Sequence, residues 1–249
     1  MARKKGPQVQ QAYNYIKGKI LSFELPPGAS VSDHALEQDL NMSRSPIREA
    51  IMRLAADGLI ETTNQGTLVA SMMPEDIAEI CQVRKAVEVA AVNIIMDRGS
   101  ITAQQKERMT DIYNEVDAVF KKFHDATDPY HSIQIDDLFH REIMMIANNS
   151  RLTQIYDRMR IQIYRARWLS VVLPDRSQEI VHEHEEIYNA LIKNDRALAV
   201  KSLSHHLEQN EKNYARVLMS PHLNPQFLVA MANITNIHKQ QIENETPLL

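Results

Sequence analysis

The feature that most constrains the fold of this chain is where its glycines fall. Five of the six (Gly6, Gly18, Gly28, Gly58, Gly66) lie in the first 66 residues, and only Gly99 occurs in the 183 that follow. Tight hairpin turns need backbone with positive φ, which glycine supplies most readily, so the glycine-poor stretch predicts long helices. Pro74, Pro129, Pro174, Pro221 and Pro225 fall where such helices would be separated. The expected fold class is mainly α. Residues 1–73 form an N-terminal domain, 74–220 an all-α antiparallel helical bundle, and 221–249 a C-terminal extension. The extension, with "PQFLVAMANITNIHKQQ" after Pro225, reads as a further helix serving as a dimer contact or a lid.

Composition narrows the setting. Hydrophobic content of 44% and charged content of 24% are those of a globular protein. No apolar run approaches the roughly 20 residues of a membrane span. The opening "MARKKGPQVQQ" is basic but lacks the apolar segment of a signal peptide. The single cysteine, Cys81, leaves no internal disulfide framework, so a reducing cytoplasm is expected. Net charge is −4, divided as +1 over residues 1–73 and −5 over the rest. Any contact with nucleic acid therefore depends on a local patch and not on a global field.

The first domain shows such a patch. A helix is expected from about Gln8 to Ser22, with Ala12, Tyr13, Ile16 and Ile20 on one face. "LPPGAS" breaks it, and Ser32 caps a short helix through Leu40 with Asp33 in its first turn. "SRSPIREAIMRLAADGLIE" then starts a third helix, capped by Ser43 or Ser45, with Ile47, Ile51 and Leu54 inward and Arg44 and Arg48 on another face. Gly58 stops it, and two short strands flank Asn64-Gln65-Gly66. Two arginines on one helix are ordinarily just solvated. In the order helix, helix, helix, hairpin they become the reading end of a winged helix-turn-helix, which presents arginine and serine to base edges and phosphates.

This segment resembles the winged-helix domain of the GntR family of transcription regulators, whose pattern is roughly Ser-Arg-Thr-Pro-Val-Arg-Glu-Ala-Leu followed by a wing with glycine and valine. The match runs from about Tyr13 to Ala70. It implies DNA contacts through Arg44, Ser45, Arg48 and wing Gly66, with Ser43 and His34 beside them. His34 and Gln65 stand where relatives often carry arginine.

In the helical part the candidate chemistry lies in histidines. Asp136 and His140 are four apart and stack on one helix face. His184 shares a stripe with Ile180, Ile187 and Leu191, while His182 turns away. His206 shares a face with Ala199, Leu203 and Asn210. Four donors from three helices could converge on Zn²⁺, Ni²⁺ or Mn²⁺. Spacing alone equally allows three satisfied core histidines.

This part resembles the FCD type, the FadR C-terminal ligand-binding domain, from Pro74 to about Met219. The matching residues are Val83-Arg84…Glu88, Asp136…Phe139-His140, Asn149…Leu152, Glu183-His184…Ile187…Ala190-Leu191 and His206-Leu207. The resemblance implies a divalent metal, Zn²⁺ foremost, on Asp136, His140, His184 and His206. It also implies that Arg84 pairs with an effector carboxylate; an ion pair with Glu88 at i+4 is the alternative. Arg165 and Asn210 are further candidates for effector contact, with Arg167 and Trp168 near the same cavity.

The leading expectation is a homodimeric transcription regulator, more often repressor than activator. It would bind a pseudo-palindromic DNA operator and respond to a small organic, sugar or amino acid. A metal-dependent helical hydrolase is the rival. It would need more than Glu179-Ile-Val-His182, the one Glu-x-x-His found, or His124-Asp125, which resembles the His-Asp phosphohydrolases without their further ligands. A structural metal with no effector is the third reading.

Overall fold

A computed structural model describes residues 5–64, 66–99, 101–121, 129–169 and 176–220. The expectations for Gln65, His124-Asp125 and the 221–249 extension lie outside these residues. The chain divides into two compact units, meeting in sequence between Met72 and Met73.

The first unit contains α1 (Lys5–Leu21), α2 (Asp33–Leu40), α3 (Arg44–Ala56), β1 (Ile60–Thr63) and β2 (Gly66–Val69). Its core forms where the apolar stripe of α1 (Val9, Ala12, Ile16, Ile20) meets Ile47, Ala50 and Leu54 of α3, all fully buried. Ile51, expected inward, is only partly covered. Ser32 caps α2 by accepting from Ala35 N–H at 3.3 Å, and Asn41 closes that helix in the left-handed region. Ser43 occupies the N-cap of α3 without a side-chain cap bond. Tyr13 Oη donates to Asp57 at 2.6 Å, tying α1 to the end of α3. The strands pair antiparallel from Ile60 opposite Val69 to Thr63 opposite Gly66. The segment after α1 also docks on β2: Ser30 bridges Leu68, and Val31 N–H donates to Thr67 O at 2.8 Å.

The second unit is α4 (Pro74–Asp97), α5 (Ala103–Lys121), α6 (Pro129–Ala147), α7 (Ser150–Arg167), α8 (Arg176–Ile192) and α9 (Arg196–Leu218). Each start has a local cause. Pro74 sits in the first turn, where a backbone N–H would have no intrahelical acceptor, and Asp76 accepts from Met73 N–H at 3.0 Å. Thr102 and Gln105 cap each other's backbone N–H groups ahead of α5. Asn149 accepts from Arg151 and Leu152 N–H, which gives the Asn149…Leu152 signature a structural purpose. Asp195 caps α9 through Leu198 N–H at 3.0 Å. Helix α7 ends at Arg167, with Trp168 at its C-cap. Helix α4 packs on α6, α7 and α9, while α5 packs on α6 and α8 and α8 on α9. Ala91, Phe139, Ile143, Tyr156, Ile187 and Leu203 fill the core between them. No helix of the described residues is long and apolar enough to cross a membrane.

Gly58 ends α3 at φ 72°, a conformation in which a Cβ is strained. Gly58→Ala is expected to lower the stability of the first unit by about 1–2 kcal/mol. The measurement is the urea midpoint of that unit, followed by circular dichroism.

Candidate metal centre and DNA-binding face

Inside the helical unit Asp136 and His140 of α6, His184 of α8 and His206 of α9 bring four ligand atoms within 4.8 Å of one another, all buried. The outer nitrogen of each imidazole is fixed. His140 Nδ1 lies 2.7 Å from Glu88 Oε2, His184 Nδ1 2.7 Å from Ile180 O, and His206 Nδ1 2.7 Å from Glu183 Oε2. Carboxylates and carbonyls only accept, so each Nδ1 must carry the proton and donate it. In the neutral ring this leaves a lone pair on every Nε2, and all three Nε2 atoms face inward.

The inward geometry suits a cation. His140 Nε2 and His206 Nε2 stand 3.1 Å apart, and His184 Nε2 stands 3.2 Å from Asp136 Oδ1. With Nδ1–H committed to Ile180, His184 Nε2 has no proton for that carboxylate and no hydrogen-bond partner of its own. Asn210 Nδ2–H serves His206 Nε2, but His184 Nε2 against Asp136 sets acceptor to acceptor in a buried space, which a shared proton or a metal ion would relieve. Donor separations of 3.1, 3.2 and 3.8 Å straddle the ~3.3 Å edge that bonds of about 2.0–2.1 Å subtend in a tetrahedron. The residues therefore fit a divalent ion. The hydrogen-bonded outer nitrogens are the support that metal-ligating histidines usually have.

Arginines surround this core. Arg84 Nε pairs with Glu88 Oε1 at 2.6 Å, both groups being essentially inaccessible. Arg176 grips Glu183 with two bonds of 2.6 and 2.5 Å, so the relay Arg84–Glu88–His140 has a counterpart in Arg176–Glu183–His206. Arg167 pairs with Asp136 through Nε and with Asp137 through Nη1 at 2.6 Å, and Arg160 joins Asp137. Burial alone would raise these carboxyls, but the neighbouring guanidinium and imidazole groups outweigh it. Glu88 and Glu183 are held at about 2 and Asp136 well below the usual carboxylate range. Burial, reinforced by His184, pulls His206 down to about 3 despite Glu183, and burial also lowers His140 against the pull of Glu88. The cluster thus sets ionised carboxylates beside two imidazoles, His140 and His206, whose neutral form is favoured, the protonation states that metal binding requires.

For Arg84 the Glu88 pair is present, and its Nη2 is still left buried without a hydrogen-bond partner. Asn210 accepts from Arg176 at 3.1 Å, which turns its Nδ2 toward His206 Nε2 at 2.9 Å. Arg165 is buried at the end of α7, where burial lowers it to about 10. It is two residues from Arg167, which is the one that meets Asp136, and that spacing turns the two side chains to different helix faces. His182 and His205 are exposed, as their turned-away positions implied. The sequence offers no role for Arg176 and Asp137, marks Glu183 only as part of the FCD resemblance, and gives Glu88 a role only as a partner for Arg84. Arg176 and Glu183 are seven apart on one helix face, a signal that could have found that pair.

In the first unit Ser43, Arg44, Ser45, Arg48, Gly66 and His34 are all exposed. Neither arginine is idle: Arg44 Nε pairs with Glu37 Oε2 at 2.9 Å, and Arg48 Nε with Asp33 Oδ2 at 3.0 Å. His34 Nδ1 lies 3.6 Å from the same Glu37 oxygen.

Residues 79–209 match the FCD domain family, and residues 8–69 match the bacterial regulatory proteins of the gntR family. The HTH-type transcriptional regulator YdhC of Bacillus subtilis is 26% identical over 213 residues, covering 85% of this chain and 93% of that protein. The HTH-type transcriptional repressor RspR of Escherichia coli is 23% identical over 219 residues, covering 85% and 90%. Among solved structures, Escherichia coli McbR/YncC aligns with a TM-score of 0.67 over 84% of this chain and 97% of that one at 20% identity, a likeness of fold. The two curated relatives and the gntR family are transcription regulators and not enzymes, which tells against the hydrolase reading. With a winged helix-turn-helix followed by an FCD domain, the chain belongs to the GntR family of DNA-binding transcription regulators.

Proposed function

We propose that this regulator is a homodimeric cytoplasmic repressor whose hold on a pseudo-palindromic operator is set by a small carboxylate metabolite bound beside a divalent metal ion. The repressor assignment follows the likeness to RspR. A symmetric dimer would present two winged helices to two half-sites. Asp136, His140, His184 and His206 would hold the ion, Zn²⁺ suiting three imidazoles and a carboxylate best and Ni²⁺ or Mn²⁺ next. When bound, the ion supplies a Lewis-acid position for an oxygen ligand.

The observation that carries the effector is the surplus of buried donors around the cluster. Arg84 Nη2, Arg167 Nη2, Arg176 Nε, Tyr156 Oη and Trp168 Nε1 are buried with no hydrogen-bond partner. Arg84, Arg167 and Tyr156 are close enough to influence one another's ionisation. Unpaired buried donors are costly, and guanidinium groups hold carboxylates bidentately, so an anionic oxygen ligand would satisfy them. Asn210 Nδ2–H would donate to the same ligand once His206 Nε2 is engaged. Arg84 thereby serves Glu88 with one edge and the effector with another, and Arg165 is an outer contact. Organic, sugar and amino acids all fit this chemistry. Such a ligand alters DNA affinity only if it binds the DNA-competent and DNA-incompetent arrangements unequally.

Protein purified without chelators should carry roughly one divalent ion per chain, and His184→Ala should lose it while keeping its helical signal. A metal-free wild type whose melting ignores added Zn²⁺, Ni²⁺ and Mn²⁺ overturns the site. Metal-loaded protein screened against organic, sugar and amino acids should show at least one acid that raises the melting temperature and shifts operator affinity. Silence across the whole screen would leave a structural metal and no effector. Arg48→Ala should weaken operator binding roughly tenfold and reduce the salt slope by about one, with metal content unchanged; unaltered binding removes Arg48 from the DNA contacts.

A further inference from the structure

The two helix-turn-helix helices carry opposed charge ladders. Asp33 and Glu37 are one turn apart on α2, and Arg48 and Arg44 are one turn apart on α3. They join crosswise, Asp33 to Arg48 at 3.0 Å and Glu37 to Arg44 at 2.9 Å, so both arginines assigned to DNA contact already have an anionic partner within the domain. Hydrogen bonds from Arg48 and Arg44 lower the two carboxyls below their ordinary values, so both are ionised at neutral pH.

DNA offers these arginines two kinds of partner. On arbitrary sequence nearly all the affinity comes from phosphates, and a paired arginine can only exchange one anion for another. That exchange also brings phosphate up to the abandoned carboxylate, which repels it. Each pair uses only the Nε of its arginine, so on a matched sequence the Nη edge can take a guanine bidentately while the pair is kept. Because the cost of breaking the pair and the repulsion of phosphate then fall on the phosphate-only mode, the ladder penalises sequence-independent binding more than operator binding. It also starts the arginines from held positions rather than from free rotamers.

We propose that Asp33 and Glu37 are specificity-determining residues, which restrain Arg44 and Arg48 and so suppress binding to non-operator DNA. The inference rests on Arg44 and Arg48 being the DNA contacts proposed above.

The test uses the full-length protein and two duplexes of equal length, one selected by the protein from a random library and one with that sequence scrambled. Asp33→Asn combined with Glu37→Gln is compared with a charge-matched control, Glu24→Gln combined with Glu61→Gln. Melting curves confirm that both variants are folded. The ladder variant should bind the scrambled duplex about fivefold more tightly, with a salt slope steeper by one to two, while the selected duplex gains less. Its specificity ratio falls, and the control, which changes net charge equally, shifts both duplexes alike and keeps the ratio. A ladder variant whose ratio matches the control overturns the proposal. Arg44→Ala with Arg48→Ala separates the two failures: if that variant binds the selected duplex as the wild type does, the contact assignment itself is wrong.

Discussion

Three histidine protons, donated outward, organise the helical unit. A neutral imidazole has one donor and one acceptor nitrogen. Committing Nδ1–H to Glu88, Ile180 O and Glu183 leaves no freedom in where the lone pairs point. Only Ile180 lies on the same helix as the histidine it serves at one turn's distance. Glu88 reaches His140 across 52 residues, and Glu183 reaches His206 across 23. The packing of α4 on α6 and of α8 on α9 is therefore a condition of the site's electrostatics as well as of apolar burial. Two buried carboxylates so close to a third at Asp136 would be prohibitive without Arg84, Arg176 and Arg167, and each arginine is placed against one of them.

Arginine rather than lysine at these positions has a physical reason. A buried lysine lowers its desolvation cost by giving up its proton, whereas a guanidinium stays charged and brings five donors in a fixed fork. Arg176 uses that fork on Glu183 and Asn210 together, and Arg167 spans Asp136 and Asp137. Each fork also has an edge left over, at Arg84 Nη2, Arg167 Nη2 and Arg176 Nε. The framework that pays for burying the carboxylates thus leaves a ring of unsatisfied donors about the cluster. In the proposed effector site, structural support and anion affinity would come from the same side chains.

Much of this was legible from the chain. The glycine distribution gave the helical class, because a long stretch with only Gly99 cannot turn tightly often. Ser32 before Asp33 marked a cap, and the four inward donors followed from helical spacing. What was not legible depends on pairings between helices. No periodicity tells that Glu88 meets His140 or that Asp137 meets Arg160 and Arg167. Arg165, Arg167 and Trp168 would be solvated on an ordinary helix face, yet all three are only 3% exposed. The docking of Ser30 on β2 was hidden because "LPPGAS" signals only a break.

The two units use the same ion-pair chemistry to opposite ends, and burial decides which. In the helical unit the Arg84–Glu88 pair is 1% and 0% exposed, so separating it would strand two charges in a low dielectric. In the DNA-binding unit the Arg44–Glu37 and Arg48–Asp33 pairs lie in water, where exposed pairs contribute little and exchange partners readily. The first kind of pair suits a fixed scaffold for a ligand. The second suits a surface whose arginines, in the proposed DNA contacts, would be offered other anions by the duplex. A regulator needs both, and this sequence separates them by placing its exchangeable arginines on a short helix of the small unit and its permanent ones within the long-helix bundle.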